Sequence, residues 1–407
     1  MDIAVDILLI AAALAGTVYL LRKQVNLGVV MLLDSVFIVL VARIPADKAL
    51  LFAFKGAISE STVKLILILF LIMMIENIMR NTGMIRSMTD SLKELVGSNR
   101  LAAGLLPVVI GLLPSPGGAR FSCPMVEEVT GDATDDANKA FINYWFRHIW
   151  LDGFILYPGV ILAAELLKVS VISLFLHLIP FMLVSVLLGC VYGLRHMRKE
   201  KAVRTKPVKE SLRTFIISML PVITVISVYI ILLKTTPYSL ELAAGSMVII
   251  LFAVKRYSFG KIIKTMREAF PVKLVLIILG VMVFKEILLE SGAIAGLSEL
   301  MNTYGIPAAV LFILLPFAGG FTSGITVSYV SLTFPILIPL GLGGNLWYAA
   351  IAFTAGSVGG MTTPLHLCAV MTADYFKTSL TGLLKKIALA ETPLLILAVA
   401  LLLLMLI

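Results

Sequence analysis

Charged residues are scarce in this chain: Asp, Glu, Lys and Arg make up 14% of its 407 residues, whereas a soluble domain carries about 25%. This scarcity excludes a large soluble domain. Hydrophobic residues reach 60%, enough for about ten membrane crossings of roughly 20 residues each. Aromatic residues make up only 9%, and the apolar runs are long rather than alternating, which argues against a transmembrane barrel. The sequence therefore predicts an all-α polytopic membrane protein.

Cysteine and the common catalytic motifs are also scarce. Cys123, Cys190 and Cys368 are the three cysteines and form no CxxC spacing, so we expect small apolar side chains rather than a disulfide framework or a metal site. No HExxH or GxSxG is present, which argues against an enzyme. The sequence predicts no cofactor. The net charge of +9 is interpreted as a signal of membrane sidedness, not of nucleic-acid binding.

Apolar runs of membrane-spanning length predict ten crossings. They lie near 3–21, 25–42, 62–79, 140–164, 170–194, 214–233, 239–254, 274–289, 345–376 and 383–407. Two further stretches, 101–129 and 306–340, are interrupted halfway by Pro and Gly. Each arm rises only about 20 Å, less than the roughly 30 Å of the bilayer core. Both stretches therefore predict re-entrant hairpins that add no crossing.

The distribution of Lys and Arg predicts the orientation in the membrane. Residues 195–213 carry eight of them against two acids, which places this linker in the cytoplasm because cytoplasmic loops are rich in Lys and Arg. Counting outward puts 24 of the 33 Lys and Arg residues on the cytoplasmic side and six on the other. We therefore expect the cytoplasmic (inner) membrane, with both termini on its non-cytoplasmic side.

Two parts of the chain repeat each other. Residues 64–85 and 273–294 align without gaps, with eight identities in 22 positions. LLPSPGG at 112–118 matches LLPFAGG at 314–320, and an Asn-x-Trp follows each at Asn143 and Asn345. Because five predicted crossings separate the starts of the two copies, the second copy is predicted to run inverted in the membrane.

The repeat divides the chain into five predicted segments. They are two N-terminal transmembrane helices at 1–61, repeat 1 at 62–194, the basic cytoplasmic linker at 195–213, two linking helices with a cytoplasmic segment at 214–271, and repeat 2 at 272–407. Repeat 1 comprises a span, a re-entrant hairpin, a broken span and a further span. Repeat 2 comprises a span, a hairpin, a broken span and a C-terminal span.

Interrupted helices predict a binding cavity. Backbone groups that leave a helix at membrane depth persist only where protein, water or a ligand pairs with them. Inverted repeats with broken helices are typical of secondary transporters, in which half-helix ends face substrate and coupling ions. The substrate-binding candidates are Gly117, Gly118, Arg120, Ser122, Asn143, Arg147, Gly319, Gly320, Thr322, Ser323, Thr362 and Thr363. The coupling-ion candidates are His148, Asp152 and Ser357.

Several of these residues have a plainer interpretation. Arg120 is interpreted as an anion contact at the first hairpin tip, or as a side chain that snorkels or caps a carbonyl. Arg147 is an anion contact, or an ion-pair partner of Asp152 or Glu127. His148 and Asp152 share a helix face at i, i+4 and form a proton relay or a packing pair. His366 fits a packing role better.

The arrangement of span, Gly-Gly hairpin and broken span, present twice around a basic linker, resembles the ion transporter superfamily. This superfamily includes divalent-anion:sodium symporters and gluconate permeases. LLPSPGGARFSCP at 112–124 and NYWFRH at 143–148 resemble an uncharacterised branch, the domain of unknown function 401 family. The resemblance implies an organic anion and a cation at the hairpin tips and unwound spans, and a homodimer with an elevator-like motion. Neither tip carries the Ser-Asn-Thr typical of the dicarboxylate symporters.

The resulting prediction is a secondary active transporter of a small, carboxylate-type organic anion, coupled to H⁺ or Na⁺ and working by alternating access. Its expected partners are the anionic substrate and membrane lipid. A lipid-phosphate flippase is one alternative, with the same arginines on a phosphate headgroup. The other is an intramembrane enzyme that uses His148, Asp152 and His366 as acid, base or metal ligands.

Overall fold

A computed structural model describes residues 12, 15–17, 19–21, 23, 25–112, 118–200, 205–303, 305 and 307–406. Throughout these ranges the chain is helical and contains no strand. The helices of the first half are α1 Leu27–Val41, α2 Ala46–Ile58, α3 Glu60–Asn81, α4 Met84–Leu95, α5 Asn99–Gly111, α6 Ala119–Thr130, α7 Asp136–His148, α8 Pro158–Leu167 and α9 Val171–Tyr192.

The helices of the second half also alternate between long and short. They are α10 Val208–Leu232, α11 Ser239–Val254, α12 Phe259–Ala269, α13 Val272–Ser291, α14 Ala293–Thr303, α15 Leu311–Ser323, α16 Thr326–Leu337, α17 Leu346–Thr362, α18 Leu367–Tyr375 and α19 Leu380–Leu406.

Four helices among the described residues are long and apolar enough to cross a membrane. They are Ala46–Asn81 (α2 with α3), Val171–His196 (α9 with its C-terminal extension), Val208–Leu232 (α10) and Leu380–Leu406 (α19). Shorter apolar helices accompany them, including α5, α8 and both α15 and α16. This composition identifies a helical membrane protein.

The first predicted hairpin corresponds to α5 and α6, and the second to α15 and α16. The arms are 12 or 13 residues long, which corresponds to about 20 Å of helix. Residues 113–117, the expected first tip, lie outside the described residues. The second tip differs from the prediction: Gly319 and Gly320 lie inside α15, and the chain turns at Gly324, whose φ of 65° is left-handed.

Both expected broken spans are interrupted. A 3₁₀ turn, Ile149–Asp152, follows α7, and α8 begins only at Pro158. In the second half α17 ends at Thr362 and α18 begins at Leu367. The sequence also predicts breaks at Gly356, Gly359 and Gly360, but all three lie inside α17, because they pack against neighbouring helices.

Glycines allow helices to approach to backbone contact at two crossings. A Cβ at Gly280 of α13 would collide with the backbone of Gly28 in α1. Where α15 crosses α17, Gly320 faces the carbonyl of Gly356, and Gly359 faces the carbonyl of Phe317. Small residues at such crossings are typical of membrane helices, since close approach gains van der Waals contact that lipid cannot replace.

Glu76 and Lys285 do not pair with each other. They occupy equivalent positions of the sequence repeat, which predicts a structural ion pair between them. Glu76 instead pairs with Arg80, one turn along α3. The geometry of α3 explains this, because an i, i+4 partner is already on the same face.

The basic linker is docked on the first half. Arg198 donates from its backbone to the carbonyl of Ala133 at 2.9 Å, and the side chain of Asn99 contacts the backbone on both sides of Lys199. Thr205 donates to the carboxylate of Glu94 from its backbone at 2.7 Å and from its hydroxyl at 2.6 Å. These bonds fix the linker to α4 and to the base of the first hairpin.

We predict that Gly280→Ala destabilises the protein, because the new methyl group collides with backbone that cannot move aside. Overpacking of this kind costs about 1–3 kcal/mol, so the thermal melting temperature in detergent should fall. The matched control is Gly245→Ala in the middle of α11, where a Cβ would meet only Leu71 Cδ1 at 3.8 Å. Equal melting of the two variants would contradict this packing.

We also predict that linker docking weakens in acid. Hydrogen bonds from Thr205 hold the pKa of Glu94 below its usual range. Because the pKa of Glu94 is lower in the docked form, the docked form is stabilised at pH values above the unfolded pKa of about 4.3. This stabilisation is lost as the pH falls through the lower pKa of the docked form. Hydrogen exchange of the Thr205 amide, corrected for intrinsic rates, should accelerate over that window. At neutral pH Glu94→Gln should accelerate it about two- to five-fold, whereas Glu210→Gln should leave it unchanged.

Candidate functional site

Described residues that flank the four helix interruptions, two in the predicted hairpins and two in the predicted broken spans, meet at one place. At the second tip a Cβ on Gly324 would lie 3.0 Å from the backbone nitrogen of His366, at the start of α18. Gly159, in the first turn of α8, lies so close to Thr326 of α16 that a Cβ on the glycine would collide with the threonine side chain. Gly118, at the start of α6, lies equally close to the guanidinium of Arg147. The site predicted from separate breaks is therefore a single location.

Side chains cap the carbonyls that the helix ends leave free. Tyr144 donates from its hydroxyl to the carbonyl of Met361 at 3.0 Å, and Nδ1 of His366 contacts the carbonyl of Gly360 at 3.0 Å. The last four carbonyls of a helix lack partners within the helix, and lipid offers none. At the end of α5, Nε1 of Trp150 adds a second donor, at 2.6 Å, to the carbonyl of Val108, which also accepts from the backbone of Leu112. Of these three bonds, the one from Tyr144 to Met361 joins the two halves of the chain.

Arg147 lies at the centre of this arrangement and is 7% exposed. Its Nη1 lies 3.1 Å from Sγ of Cys368 and 3.3 Å from Nε2 of His148. The guanidinium therefore connects the first hairpin tip, through Gly118, with the second broken span. Glu127, one expected ion-pair partner, accepts a hydrogen bond from the hydroxyl of Tyr375 at 2.5 Å.

His148, His366 and Cys368 form a cluster beside Arg147. The two imidazole rings lie 4.7 Å apart between centroids, in an edge-to-face arrangement. The imidazole nitrogens and the Cys368 sulfur offer ligand atoms that all lie within 4.8 Å of one another. His366 was predicted to be a packing residue and Cys368 a small apolar side chain, but both line the site. The signal was a His-x-Cys placed directly after the second predicted break.

Asn143, a predicted substrate contact, joins three helices. Its amide nitrogen donates to Sγ of Cys123 in α6 at 3.1 Å and to the hydroxyl of Thr372 in α18 at 3.0 Å. Its Oδ1 is buried and accepts no hydrogen bond from the described residues. Asn345, the matching residue of the second copy, instead caps α17 by accepting from the amide of Trp347 at 3.0 Å.

Most of the predicted hydroxyl ligands are bonded to their own helix. Thr322 donates to Ala318 at 2.8 Å, Ser323 to Gly319 at 2.7 Å, and Thr362 to Val358 at 2.9 Å. Ser122 is buried and lies 3.4 Å from the carbonyl of Gly118. Thr363 accepts from the amide of Leu365 at 3.2 Å. These bonds hold the hydroxyls along the helix rather than toward the cluster.

The remaining predicted residues contribute differently. Gly319 packs against α16 and Gly320 against α17, so neither forms a hairpin tip. Ser357 is buried within α17. Asp152 ends the 3₁₀ turn that follows α7, so the single α-helical face expected for it with His148 is not formed. Gly117, and the side chains of Arg120 and Asp152, lie outside what the structure describes.

Glu391 is a site residue that the sequence reasoning missed. This carboxyl group of α19 is 4% exposed. It lines a small cavity together with His148, Trp145, Ser185 and Met361, and with Ile149. An acidic residue within a membrane helix is a functional hypothesis by default. Its position inside the last long apolar run was the available signal.

We predict that His148 and His366 are neutral imidazoles that carry their proton on Nδ1. Each Nδ1 faces a backbone carbonyl, Tyr144 at 2.5 Å and Gly360 at 3.0 Å, and a carbonyl only accepts. Solid-state ¹⁵N NMR of histidine-labelled protein should show protonated Nδ1 and unprotonated Nε2 for both rings. Spectra of His148→Gln and His366→Gln assign the signals. His177, whose Nδ1 faces the carbonyl of Ser173 at 2.7 Å, provides the reference, and a proton on Nε2 of either site ring would contradict the geometry.

Comparison with known proteins places the sequence in one family. No curated protein matches it significantly. The family described as "Protein of unknown function (DUF401)" matches over residues 4–407, which is nearly the whole chain and includes both hairpins and both broken spans. The chain therefore belongs to the DUF401 family.

Proposed function

We propose that the protein is a secondary active transporter of a small, carboxylate-type organic anion in the cytoplasmic membrane. Two inverted repeats alternate access to a central site, and H⁺ or Na⁺ drives the transport. The observation that carries the proposal is the meeting of four helix interruptions around Arg147. Transporters place substrate and coupling ions at such interruptions.

Arg147 supports an anionic substrate. A guanidinium stays protonated at any physiological pH and offers five donors in a planar fork that matches a carboxylate. Here it is nine-tenths buried, where a charge–charge attraction is much stronger than in water. Its neighbours Gly118 and Cys368 come from different halves of the chain, so a substrate on Arg147 would contact both.

The order and length of the helices support the repeat. Each helix from α1 to α9 has a counterpart from α11 to α19 in the same order, such as 22 and 20 residues for α3 and α13. The hairpin arms α5 and α15 both have 13 residues, and α6 and α16 both have 12. The correspondence extends to α1 and α2, ahead of residue 62 where the sequence comparison began repeat 1.

The helix ends support the repeat independently of sequence identity. Gly83 after α3 and Gly292 after α13 are left-handed, with φ of 74° and 76°. Lys168 after α8 and Lys377 after α18 are non-glycine residues with φ of 57° and 51°. A positive φ is uncommon outside glycine, so a matched pair of lysines at equivalent positions is hard to attribute to chance.

Contacts between the halves also occur in exchanged pairs. Helix α1 packs on α13, and its counterpart α11 packs on α3. Helix α6 packs on α18, and α16 packs on α8. An exchange of this kind is expected when a pseudo-twofold axis relates the repeats. With re-entrant hairpins and five crossings between the repeat starts, that axis would lie in the membrane plane, as in transporters with inverted repeats.

The transport test is uptake of radiolabelled carboxylates into proteoliposomes under an imposed pH or Na⁺ gradient. We expect accumulation under one gradient and its loss in Arg147→Gln. A hydrogen bond to a charged group contributes about 1.5–3 kcal/mol, which corresponds to about a 10- to 100-fold lower uptake rate at subsaturating substrate. Arg147→Lys should restore part of the rate, because it keeps the charge but not the fork.

The matched control is Arg86→Gln, which removes an arginine whose side chain is 87% exposed and pairs with Asp90. It should transport as the unmodified protein does. Normal uptake by Arg147→Gln, or no movement of any carboxylate under either gradient, would refute the proposal.

The contact of His148, His366 and Cys368 favours an intramembrane enzyme as a second candidate, since a thiol beside an imidazole is a nucleophile with its base. Recovery of the accumulated label as intact substrate excludes this second candidate. A chemically altered product whose formation stops in Cys368→Ser would favour it.

A further inference from the structure

Three side chains beside Arg147 have the composition and spacing of a metal site. His148, His366 and Cys368 offer two imidazole nitrogens and one sulfur, all within 4.8 Å of one another. Metal–nitrogen bonds of about 2.0 Å and metal–sulfur bonds of about 2.3 Å place ligand atoms roughly 3.3–3.8 Å apart. Only small side-chain movements separate the present arrangement from such a site.

Both imidazoles are oriented for coordination. Nδ1 of His148 and Nδ1 of His366 lie against the carbonyls of Tyr144 and Gly360, so each Nδ1 carries the proton and each Nε2 keeps its lone pair. A hydrogen bond from the other ring nitrogen to a carbonyl is the usual outer-shell arrangement of a metal-bound histidine. The approach of Nη1 of Arg147, a donor, to Nε2 of His148 at 3.3 Å agrees with this tautomer.

The backbone around the ligands is fixed before any metal binds. His148 is the last residue of α7, and His366 directly precedes α18, which carries Cys368. The bond from the Tyr144 hydroxyl to the carbonyl of Met361 holds α7 against the end of α17, which leads into His366. His148 and His366 are buried, at 6% and 9% exposure. Preorganised ligands lose little conformational freedom on binding.

We propose that His148, His366 and Cys368 bind a thiophilic transition-metal ion, Cu⁺, through two Nε2 atoms and one thiolate. Imidazole and thiolate ligands suit copper and zinc rather than Mg²⁺ or Ca²⁺. The net charge of the complex distinguishes between the two metals. Cu⁺ with one thiolate and two neutral imidazoles is a neutral complex, whereas Zn²⁺ would leave a positive complex against the guanidinium of Arg147.

Binding releases the thiol proton of Cys368 to solvent and requires one rearrangement. The lone pair on Nε2 of His148 cannot both coordinate the metal and accept from Arg147, so that contact must break. The contact of Nη1 with Sγ of Cys368 at 3.1 Å can remain, because a metal-bound thiolate still accepts hydrogen bonds. Arg147 then remains a hydrogen-bond donor to the metal-bound sulfur. The metal site does not depend on the proposed transport activity.

The experiment uses the full-length protein, purified in detergent and stripped of metal with a chelator. Cu⁺ is kept reduced with ascorbate under nitrogen and is competed against a colorimetric Cu⁺ chelator. We expect one Cu⁺ per chain. Cys368→Ser and His366→Gln should each weaken binding more than the roughly 10- to 100-fold that outer-shell changes cost. Cys190→Ser, a cysteine of α9 outside the cluster, should bind as the unmodified protein does.

Two measurements on the unmodified protein keep the test valid if a variant fails to fold. X-ray absorption of the Cu⁺-loaded protein should show two nitrogen neighbours and one sulfur neighbour. Cu⁺ should also slow alkylation of Cys368 by a maleimide, followed by peptide mass spectrometry, without slowing that of Cys190. Absence of stoichiometric Cu⁺ binding, or binding that survives the loss of both Cys368 and His366, would overturn the proposal. Tighter binding of Zn²⁺ than of Cu⁺ would overturn the charge argument and the choice of metal.

Discussion

Where a helix stops within a membrane protein, its last backbone carbonyls need hydrogen-bond donors from the protein itself. The rest of this site depends on that requirement. A hydrocarbon environment supplies none, and each unpaired group costs several kcal/mol. Tyr144 and His366 meet the requirement at Met361 and Gly360. The Tyr144 hydroxyl belongs to the first half of the chain and the carbonyl of Met361 to the second. The hydrogen bond that satisfies the end of α17 therefore also holds α7 against it.

Much of the fold could be predicted from the sequence. Long apolar runs with few charges define the helices, because only a hydrogen-bonded helix or a closed barrel is tolerated in lipid. Proline and glycine midway through two such runs predicted α5 with α6 and α15 with α16, and their arms have the expected length. The breaks at 149–157 and 363–366 follow from the same residue types.

Tertiary contacts determine the features of the site that the sequence pattern did not predict. Gly319 and Gly320 were expected to turn the chain, but Gly320 faces the carbonyl of Gly356, so these glycines serve close packing and the turn falls at Gly324. His148 and Cys368 are 220 positions apart in sequence, and their ring-nitrogen and sulfur contact depends on how α7 meets α18. A pattern of residue types along one chain does not encode such a distance, so the His-x-Cys after the second break could not by itself predict a contact with His148.

The crossing of α15 with α17 has a mechanical consequence. Glycine meets backbone there at Gly320 and Gly359, so at these two points there is no side chain that can change rotamer to repack. Shear between packed helices works through such small side-chain adjustments. We therefore expect α15 and α17 to move together in any rearrangement of this site. In such a rearrangement we expect the backbone rotation to occur at the flanking glycines, Gly305 and Gly341, whose φ angles are 62° and 101°, because glycine has the widest range of backbone torsion.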